Sequence, residues 1–441
     1  MKMRSQRVLA ITAGALALAL AVSACTPGGP TTPSSTTTAT TPTAPVTLTM
    51  WSWDPNMDQI VTVWNAANPD IQIKLENPAG GDELMARVLT AHKAGQAPDI
   101  LKVEYQALPS MIANGVAADI TSYVPDAATK FTAGALAATT FEGKVYGLPQ
   151  DFAPLVFFYR ADILAQYKIK VPTTWDEYAQ AARALHAANK SLYLGNFSSN
   201  DPGWFAGLAQ QAGAQWWTTQ GDAWKVTIND SASKKVADYW GGLVSEGVVS
   251  GEPNWSTEWN KLMDGGQIAG WVSGAWAPAQ FGGIAPNTAG KWTMTNAPAW
   301  TAGDATTGVW GGSATIVTTD SKYPAQAAKF IDWFNGTDDG WKQQIAKINI
   351  FPSLISAQKL PDLGTPPKFM SNQPTYYADV AKIAETTHSF GVWGPNATVT
   401  FSAYTDGFKN AITNKTAFSA VLDDMQAKSV ADMKAQGFNV V

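Results

Sequence analysis

The side chains best suited to covalent or metal chemistry are scarce in this sequence. One cysteine, Cys25, and three histidines, His92, His186 and His388, occur in 441 residues. A single thiol cannot close an internal disulfide or build a thiolate metal cluster, and the widely spaced histidines follow no metal-ligand pattern. The sequence therefore predicts no metal site, no cofactor and no catalytic triad.

Tryptophan is the residue type with more functional potential. All 19 tryptophans lie beyond residue 50. Because an indole has a large flat apolar face and one N–H donor, it serves both in cores and as a stacking surface for ligands. Trp240 falls at helical spacing with Val236 and Leu243, which predicts a core position. Tryptophans flanked by Gly, Pro, Asn or Asp are the better candidates for ligand contact.

The sequence of the N-terminal segment indicates a role for Cys25. Three cations precede an apolar run over 8–21, and the small residues of 22–24 lead directly to Cys25. This order is typical of a secretory signal, and its end resembles the lipobox, whose cysteine receives a diacylglycerol before cleavage. We expect 1–24 to be a lipoprotein signal peptide and Cys25 to anchor the mature chain outside the cytoplasm, on the outer face of the cell membrane. An ordinary signal with an incidental cysteine is the alternative.

Composition separates a tether from the folded part. Residues 25–45 are almost only Thr, Ser, Pro, Gly and Ala after the cysteine, which predicts a disordered linker. The remaining 46–441 are long enough for two or three domains. Without the three signal cations, 27 basic residues stand against 35 acidic ones, a net charge of −8. This balance argues against nucleic acid or an anionic membrane surface as the partner.

Strand-like and helix-like stretches alternate at the start of the folded part. The strands are predicted at 47–51, 71–75 and 99–103, and the helices at 57–68 and 84–94. This β-α-β-α-β order predicts an α/β fold with a mostly parallel sheet covered by helices on both faces. Ligands in such folds bind outside the carboxyl ends of the strands, which directs attention to the loops 52–56 and 104–106.

Seven motifs then occur in the order typical of one protein family. They include Pro-Asp-Ile at 98–100, Gly-Lys-x-Tyr-Gly-x-Pro at 143–149 and the strand-to-helix segment 158–164, followed by matches at 172–178, 265–276, 325–334 and 351–353. The chain resembles the family 1 extracellular solute-binding proteins, the sugar-binding components of ABC importers, and is similar to the maltose-binding type. Arg160 stands where the family usually has Asn.

The resemblance implies a type II periplasmic-binding-protein-like fold, with two α/β lobes, a hinge of three crossings and a ligand cleft between the lobes. Crossings near Gln150, Gly311 and Pro366 assign 46–150 with 311–366 to the first lobe. The second lobe then takes 151–310 with 367–441. The implied partners are a carbohydrate ligand and ABC permease subunits in the membrane, and the expected state is a monomer.

Site candidates combine the resemblance with the chemistry of sugars. A sugar offers apolar C–H faces and hydroxyl pairs, so its pocket needs aromatic platforms and carboxylate or amide acceptors. The candidate residues are Trp53, Asp54, Glu104, Gln106, Gln150, Asp151, Trp204, Trp276, Trp310 and Trp393. Trp204 is placed in a loop because of the preceding Asn-Asp-Pro-Gly.

Two other functions are compatible with these residues. The same fold could bind a polyamine, a glycerol phosphate or a peptide, but three acids, two glutamines and no cation among the candidates favour a neutral polyol. A surface glycoside hydrolase would need two carboxylates about 5–10 Å apart. Asp54, Glu104 and Asp151 could supply such a pair, although the order of the motifs favours binding without catalysis.

Overall fold

The computed structural model of the protein describes residues 44–221 and 223–441. The predicted signal peptide 1–24, Cys25 and all but the last two residues of the predicted tether lie outside the described residues. Among the described helices, none combines the length and apolarity needed to cross a membrane.

The strands form two main sheets and two short hairpins. In chain order they are β1 (Val46–Trp51), β2 (Ile71–Glu76), β3 (Ile100–Glu104), β4 (Thr140–Phe141), β5 (Lys144–Val145), β6 (Leu148–Pro149), β7 (Leu155–Arg160), β8 (Trp217–Gln220), β9 (Ala223–Val226), β10 (Gly270–Gly274), β11 (Trp292–Asn296) and β12 (Ser313–Val317).

Helices cover both main sheets and form most of the C-terminal part. They are α1 (Met57–Ala67), α2 (Gly81–Lys93), α3 (Leu108–Ala113), α4 (Ala127–Lys130), α5 (Ala133–Ala137), α6 (Ala161–Gln166), α7 (Trp175–Ala188), α8 (Pro202–Gln211), α9 (Ser231–Ser245), α10 (Thr257–Asp264), α11 (Phe281–Ile284), α12 (Pro324–Gly336), α13 (Asp338–Lys347), α14 (Tyr376–Ala384), α15 (Ala397–Asn414) and α16 (Phe418–Ala435).

The first sheet has the order β2-β1-β3-β12-β6. Strands β2, β1 and β3 are parallel, with Met50 beside Ile100 in the register, while β12 runs antiparallel to β3. Alternate residues of β1, such as Leu48 and Met50, are buried, as expected for a strand with one face in a core. Separate apolar cores cover the two faces of this sheet. The predicted β-α-β-α-β start is confirmed.

The second sheet is smaller and has the order β10-β7-β11, with both neighbours antiparallel to β7. Its core is the larger one and contains most of the buried tryptophans, among them Trp240 as predicted. Arg160, at the end of β7, pairs through two guanidinium nitrogens with the Asp162 carboxylate, at 2.8 and 2.6 Å. The residue that departs from the family pattern is therefore a buried, paired cation.

Backbone hydrogen bonds join the two halves where the chain passes from one sheet to the other. The Gln150 N–H donates to the Ser313 carbonyl at 2.7 Å, and the Trp310 N–H donates to the Ala153 carbonyl at 3.1 Å. The segment 150–155 thus runs beside 308–313, and Asp151 also forms an isolated bridge with Pro352. Both segments contribute residues to a cleft between the two halves, Asp151 from the first and Gly311 from the second.

Candidate functional site

A cleft of about 610 Å³ opens where the first sheet faces the second half of the chain. Its volume is within the ~300–1,000 Å³ typical of small-molecule sites. The loops after β1 and β3, at the carboxyl ends of two parallel strands, form one side, as expected for an open α/β sheet. Seven of the predicted site residues line it: Trp53, Asp54, Glu104, Gln106, Asp151, Trp276 and Trp310.

The floor of the cleft contains a buried ion pair. The Lys102 ammonium on β3 contacts the Asp54 carboxylate after β1, and their side chains are only 7% and 3% exposed. The same ammonium lies 4.9 Å from the centre of the Trp53 ring, close enough for a cation–π contact. Asp54 also accepts a hydrogen bond from the Ser52 hydroxyl at 3.1 Å. These contacts fix the Trp53 and Asp54 side chains relative to the sheet.

A second carboxylate, Asp151, lies beside this pair at the passage between the two sheets. It accepts hydrogen bonds from the Ser313 hydroxyl at 2.8 Å and from the Ser313 N–H at 3.0 Å. Burial raises the pKa of Asp151 above its usual value, while the charge of Lys102 and the Ser313 hydrogen bonds oppose this rise and the charge of Asp54 adds to it. Asp151 therefore lines the cleft and also fixes the backbone at Ser313.

Glu104 and Gln106 provide polar groups at the end of β3. The Gln106 amide donates to the Glu104 carboxylate, and the Ala107 N–H donates to the Glu104 carbonyl at 3.0 Å in the turn before α3. Gln106 is buried and Glu104 is half-buried. The contact between the two side chains orients both of these polar residues in the cleft lining.

Tryptophans form the opposite wall. The ring centroids of Trp276 and Trp310 lie 4.7 Å apart in an edge-to-face arrangement, and the Trp276 indole N–H donates to the Trp310 carbonyl at 2.8 Å. Trp271 supports both from behind, at 5.9 Å from each. Trp255 adds a further ring, 6.1 Å from Trp276 and inclined by 30° to it. Indole rings clustered in this way offer apolar surface to a ligand.

Two glycines allow this wall to approach the floor. Gly311 and Gly312 have φ values of 88° and 90°, which side chains rarely adopt. A Cβ atom on Gly311 would lie 2.8 Å from the Trp276 indole nitrogen, and one on Gly312 would lie 2.7 Å from the Tyr105 ring. The adjacent glycines therefore satisfy both a backbone and a packing requirement.

Three predicted site residues do not line the cleft. Gln150 is fully buried beneath it, where its amide donates to Gln344 at 2.9 Å. Trp204 is 2% exposed, within α8, and its indole N–H donates to the Val272 carbonyl at 2.9 Å. The predicted loop position of Trp204 is wrong because Pro202 occupies the first turn of a helix, where proline is favoured. Its ring packs 5.0 Å from Trp240 in the core.

Trp393 also lies behind the cleft wall. Its ring packs against Phe390 at 4.9 Å and Trp217 at 5.9 Å, and it meets Phe401 edge-on at 6.1 Å. Phe401 itself lines the cleft. The aromatic residue that this region contributes to the cleft is therefore Phe401 and not Trp393, because Trp393 packs within an aromatic cluster.

Several lining residues were missed in the sequence. They are Lys102, Asn200, Asp201, Trp255, Gln280, Ile348, Ile350 and Phe401, together with small residues and the helix residue Glu83. The expectation that the site holds no cation is wrong, since Lys102, a buried residue of β3, lines the cleft. The Asn-Asp-Pro-Gly signal did mark a cleft segment, but its polar residues and Gly203, not Trp204, face the cavity.

The lining residues favour binding of a ligand rich in hydroxyl groups. One lysine faces five acids among them: Asp54, Glu83, Glu104, Asp151 and Asp201. Carboxylates and amides accept hydrogen bonds from hydroxyls, while the tryptophan faces suit apolar C–H surfaces. In the part of the chain that the structure describes, no group of three or more His, Cys, Asp or Glu side chains could hold a metal ion.

Comparison with known proteins supports the family predicted from the motifs. The sequence pattern of the family described as bacterial extracellular solute-binding protein matches residues 51–341. The arabinooligosaccharide-binding protein of Bacillus subtilis is 26% identical over 313 residues, which are 67% of this chain and 70% of that protein.

Solved structures support the predicted fold. The galacto-N-biose/lacto-N-biose I-binding protein of an ABC transporter from Bifidobacterium longum, in complex with lacto-N-biose, superimposes with a TM-score of 0.81 at 26% identity, over 90% of this chain and 99% of that one. The ABC transporter associated binding protein from B. animalis subsp. lactis, in complex with β-1,6-galactobiose, gives 0.82 at 25% identity, over 89% and 99%. The predicted two-lobed, type II periplasmic-binding-protein-like fold is confirmed. The chain belongs to the family of bacterial extracellular solute-binding proteins.

Proposed function

We propose that this protein is the carbohydrate-binding component of an ABC importer, which captures a neutral oligosaccharide and delivers it unchanged to the membrane permease. The observation that carries the proposal is the pairing of a tryptophan wall with a floor of carboxylates and amides across one cleft. The oligosaccharide ligands in the names of the relatives support the same class of solute.

The two sides of the cleft belong to different lobes in this proposal. The first lobe comprises 46–150 with 311–366 and contributes Trp53, while the second comprises 151–310 with 367–441 and contributes Trp276. A sugar that stacks between the two rings links the lobes and favours their closure, which excludes water from its hydroxyl contacts. Closure then serves as the signal that the permease recognises.

The charge of the cleft decides between the classes of ligand. The five acids outnumber the cations beside them, Lys102 in the lining and Arg87 paired with Glu83, which disfavours phosphorylated solutes and sugar acids. A polyamine would require several available carboxylates. Asp54, however, is paired with Lys102, and Asp151 accepts two hydrogen bonds from Ser313. A neutral sugar with many hydroxyls suits this arrangement best.

Binding without turnover is the expected outcome for the same residues. A glycoside hydrolase needs one carboxyl group to donate a proton and a second carboxylate to act as nucleophile or base. The ion pair with Lys102 holds the Asp54 carboxylate in place, and two hydrogen bonds from Ser313 hold Asp151. We therefore assign no catalytic residue to the cleft.

Calorimetric titration of the purified protein with lacto-N-biose, β-1,6-galactobiose and arabinobiose tests this function. We expect at least one disaccharide to bind, and a hundredfold excess over its dissociation constant to stabilise the fold by about 2.7 kcal/mol. Mass spectrometry of the bound sugar should show no shorter product. Binding of spermidine or glycerol 3-phosphate but of no sugar would refute the carbohydrate assignment, and sustained cleavage would favour the hydrolase.

The location of the protein is part of the proposal. We infer that signal peptidase removes 1–24, that Cys25 carries the diacylglycerol anchor, and that 26–45 tethers the binding domain to the outer face of the cell membrane. The protein then works as a monomer that reaches its permease within the plane of the membrane. A lipid with two acyl chains holds a protein more firmly than a single chain would.

A further inference from the structure

Tyr105 lies in the turn between β3 and α3, directly between two residues of the cleft lining. Glu104 and Gln106 line the cleft, whereas Tyr105 does not. The Tyr105 side chain is 6% exposed and packs in one of the two cores of the first sheet. The turn therefore places polar residues on the ligand side and an aromatic ring in the interior.

The hydroxyl group of Tyr105 contacts the first crossing, the segment 150–155. It donates to the carbonyl of Asp151 at 2.9 Å in a buried hydrogen bond. Burial and the charge of Asp151 raise the pKa of Tyr105 well above its usual value, so the hydroxyl keeps the proton that it donates. In the proposed division into lobes, Asp151 is the first residue of the second lobe and Tyr105 belongs to the first. The bond therefore joins the lobes where the chain leaves the first one.

Tyr105 also contacts the return crossing, the segment 308–313. Its N–H donates to the Gly312 carbonyl at 3.2 Å. A Cβ atom on Gly312 would lie 2.7 Å from the Tyr105 ring and 3.3 Å from the Asp151 carbonyl oxygen. The backbone of Gly312 thus fits between the ring and the first crossing. Tyr105 therefore holds both crossings, one with its hydroxyl group and the other with its backbone and ring.

The two crossings are connected to the floor of the cleft by further buried hydrogen bonds. The Ser313 hydroxyl lies 3.1 Å from the side-chain oxygen of Gln150. The Gln150 amide in turn donates to the Asp54 carboxylate at 3.3 Å. The position of the crossings and the position of a floor carboxylate therefore depend on one another.

The lobes touch across the cleft in this structure. Trp276 packs against the core of the second sheet and also against a core built only from residues of the first lobe. The hydrogen bond between Tyr105 and Asp151 is thus observed in an arrangement in which the lobes are in contact.

We propose that Tyr105 is a positioning residue that fixes the bend of the two crossings, and that its hydroxyl bond to Asp151 stabilises the arrangement in which the lobes meet on the ligand. This inference rests on the proposed carbohydrate function. Opening of the cleft changes the backbone dihedral angles at the first crossing and turns the Asp151 carbonyl away from a ring that is fixed in the core. The bond then stabilises the closed arrangement and not the open one.

Tyr105→Phe tests the proposal, because it removes the hydroxyl group and keeps the ring. We expect it to weaken the binding of every sugar that the protein binds by one common factor of roughly three- to tenfold, the range of one net hydrogen bond. A common factor follows because a smaller population of the closed arrangement lowers the affinity for all ligands equally. Gln106→Ala is the comparison: it removes a group of the cleft lining, so its effect should differ from sugar to sugar.

Tyr239→Phe is the matched control. The Tyr239 hydroxyl also donates to a backbone carbonyl, that of Trp175 at 2.6 Å, but Tyr239 lies outside the cleft lining and both crossings. Each variant loses one hydrogen bond of the same kind, so each should lower the melting temperature. Only Tyr105→Phe should weaken sugar binding. Equal affinities of Tyr105→Phe and the unmodified protein, or equal losses in both variants, would overturn the positioning role.

Stopped-flow measurement of tryptophan emission adds a kinetic test. A sugar enters the open cleft, where the bond is absent, and leaves only after the closed cleft opens. Tyr105→Phe should therefore accelerate sugar dissociation roughly three- to tenfold and leave the association rate nearly unchanged. A slower association with unchanged dissociation would overturn the proposal, because Tyr105 would then shape the open cleft.

The outcomes separate this inference from the function on which it rests. If the unmodified protein binds none of lacto-N-biose, β-1,6-galactobiose, arabinobiose and their monosaccharides, the carbohydrate function fails and the inference fails with it. If the protein binds sugars and Tyr105→Phe weakens them by clearly different factors, only the inference is refuted. That result would mean that Tyr105 acts locally on Glu104 and Gln106 and not on closure.

Discussion

Replacing Lys102 by Met tests whether the ion pair at the floor of the cleft supports the fold. The Lys102 and Asp54 side chains are 7% and 3% exposed, so removal of the ammonium leaves a buried carboxylate without its charged partner. Breaking a buried pair in this way costs about 3–5 kcal/mol. Methionine keeps an unbranched side chain of similar length, so the loss should reflect charge more than volume.

The expected change in melting temperature follows from the size of the protein. An unfolding entropy of about 2.1 cal/mol/K per residue over roughly 400 residues is about 0.8 kcal/mol/K. A loss of about 3–5 kcal/mol in one cooperative transition therefore lowers the melting temperature by about 4–6 °C. Circular dichroism of the ligand-free protein at pH 7.5 measures this difference.

The loss of stability caused by Lys102→Met should be smaller at acidic pH. The pKa of Asp151 determines the direction of this pH dependence. Burial already raises the pKa of Asp151, and Lys102 opposes that rise, so the Lys102→Met variant should raise the pKa of Asp151 further. A carboxyl group whose pKa is higher in the folded state contributes stability at low pH, and this contribution is lost as pH rises through the raised pKa. The difference in stability between the variant and the unmodified protein should therefore be smaller at pH 5 than at pH 7.5.

The double variant Asp54→Asn with Lys102→Met provides the control. It removes both charges and leaves no unpaired carboxylate at position 54, so it should recover most of the lost stability. If Lys102→Met were as stable as the double variant at both pH 7.5 and pH 5, the reasoning would be refuted. That result would mean that water reaches Asp54 and compensates its charge.

Three further predictions concern the wall, the backbone and the anchor. Trp276→Ala should weaken oligosaccharide binding by about 2–4 kcal/mol in calorimetry, as for a central aromatic hot spot, and retained affinity with a large fall in melting temperature would show that Trp276 is only a core residue. Gly312→Ala should lower the free energy of unfolding in urea by about 1–3 kcal/mol because of its φ of 90° and its contact with Tyr105. Gly242→Ala within α9, where a Cβ meets nothing within 4 Å, is the control and should stabilise the helix by up to about 1 kcal/mol. Cys25→Ser should leave uncleaved precursor or release protein to the medium, and mature Cys25→Ser protein in the membrane fraction would contradict the lipid anchor.

Local patterns in the sequence were sufficient for the first sheet. Apolar residues alternate along β1, and each predicted element of the β-α-β-α-β start lies within three residues of its observed bounds. The strands are parallel, and therefore the loops after them meet at one edge. This simple geometry is why the sequence alone could assign Trp53, Asp54, Glu104 and Gln106 to the cleft.

Lys102 shows where local patterns fail. In the sequence it stands between apolar residues of a short strand, where a charge usually indicates an exposed side chain. Its burial is stabilised by Asp54, which is 48 residues away and follows a neighbouring strand. A buried charge requires such a partner, and no local pattern identifies which distant carboxylate supplies it.

The tryptophans show a second limit, because the same residue type serves the core and the ligand. Trp204 and Trp276 both stand near glycine in the sequence, yet only Trp276 reaches the cleft. The difference is set by distant backbone: Trp276 packs against Gly311, where no side chain could be accommodated, while Trp204 donates to Val272 and packs on Trp240. Glycine near a tryptophan indicates that the chain turns there. Which face of the indole stays uncovered depends on segments that meet it only in the folded protein.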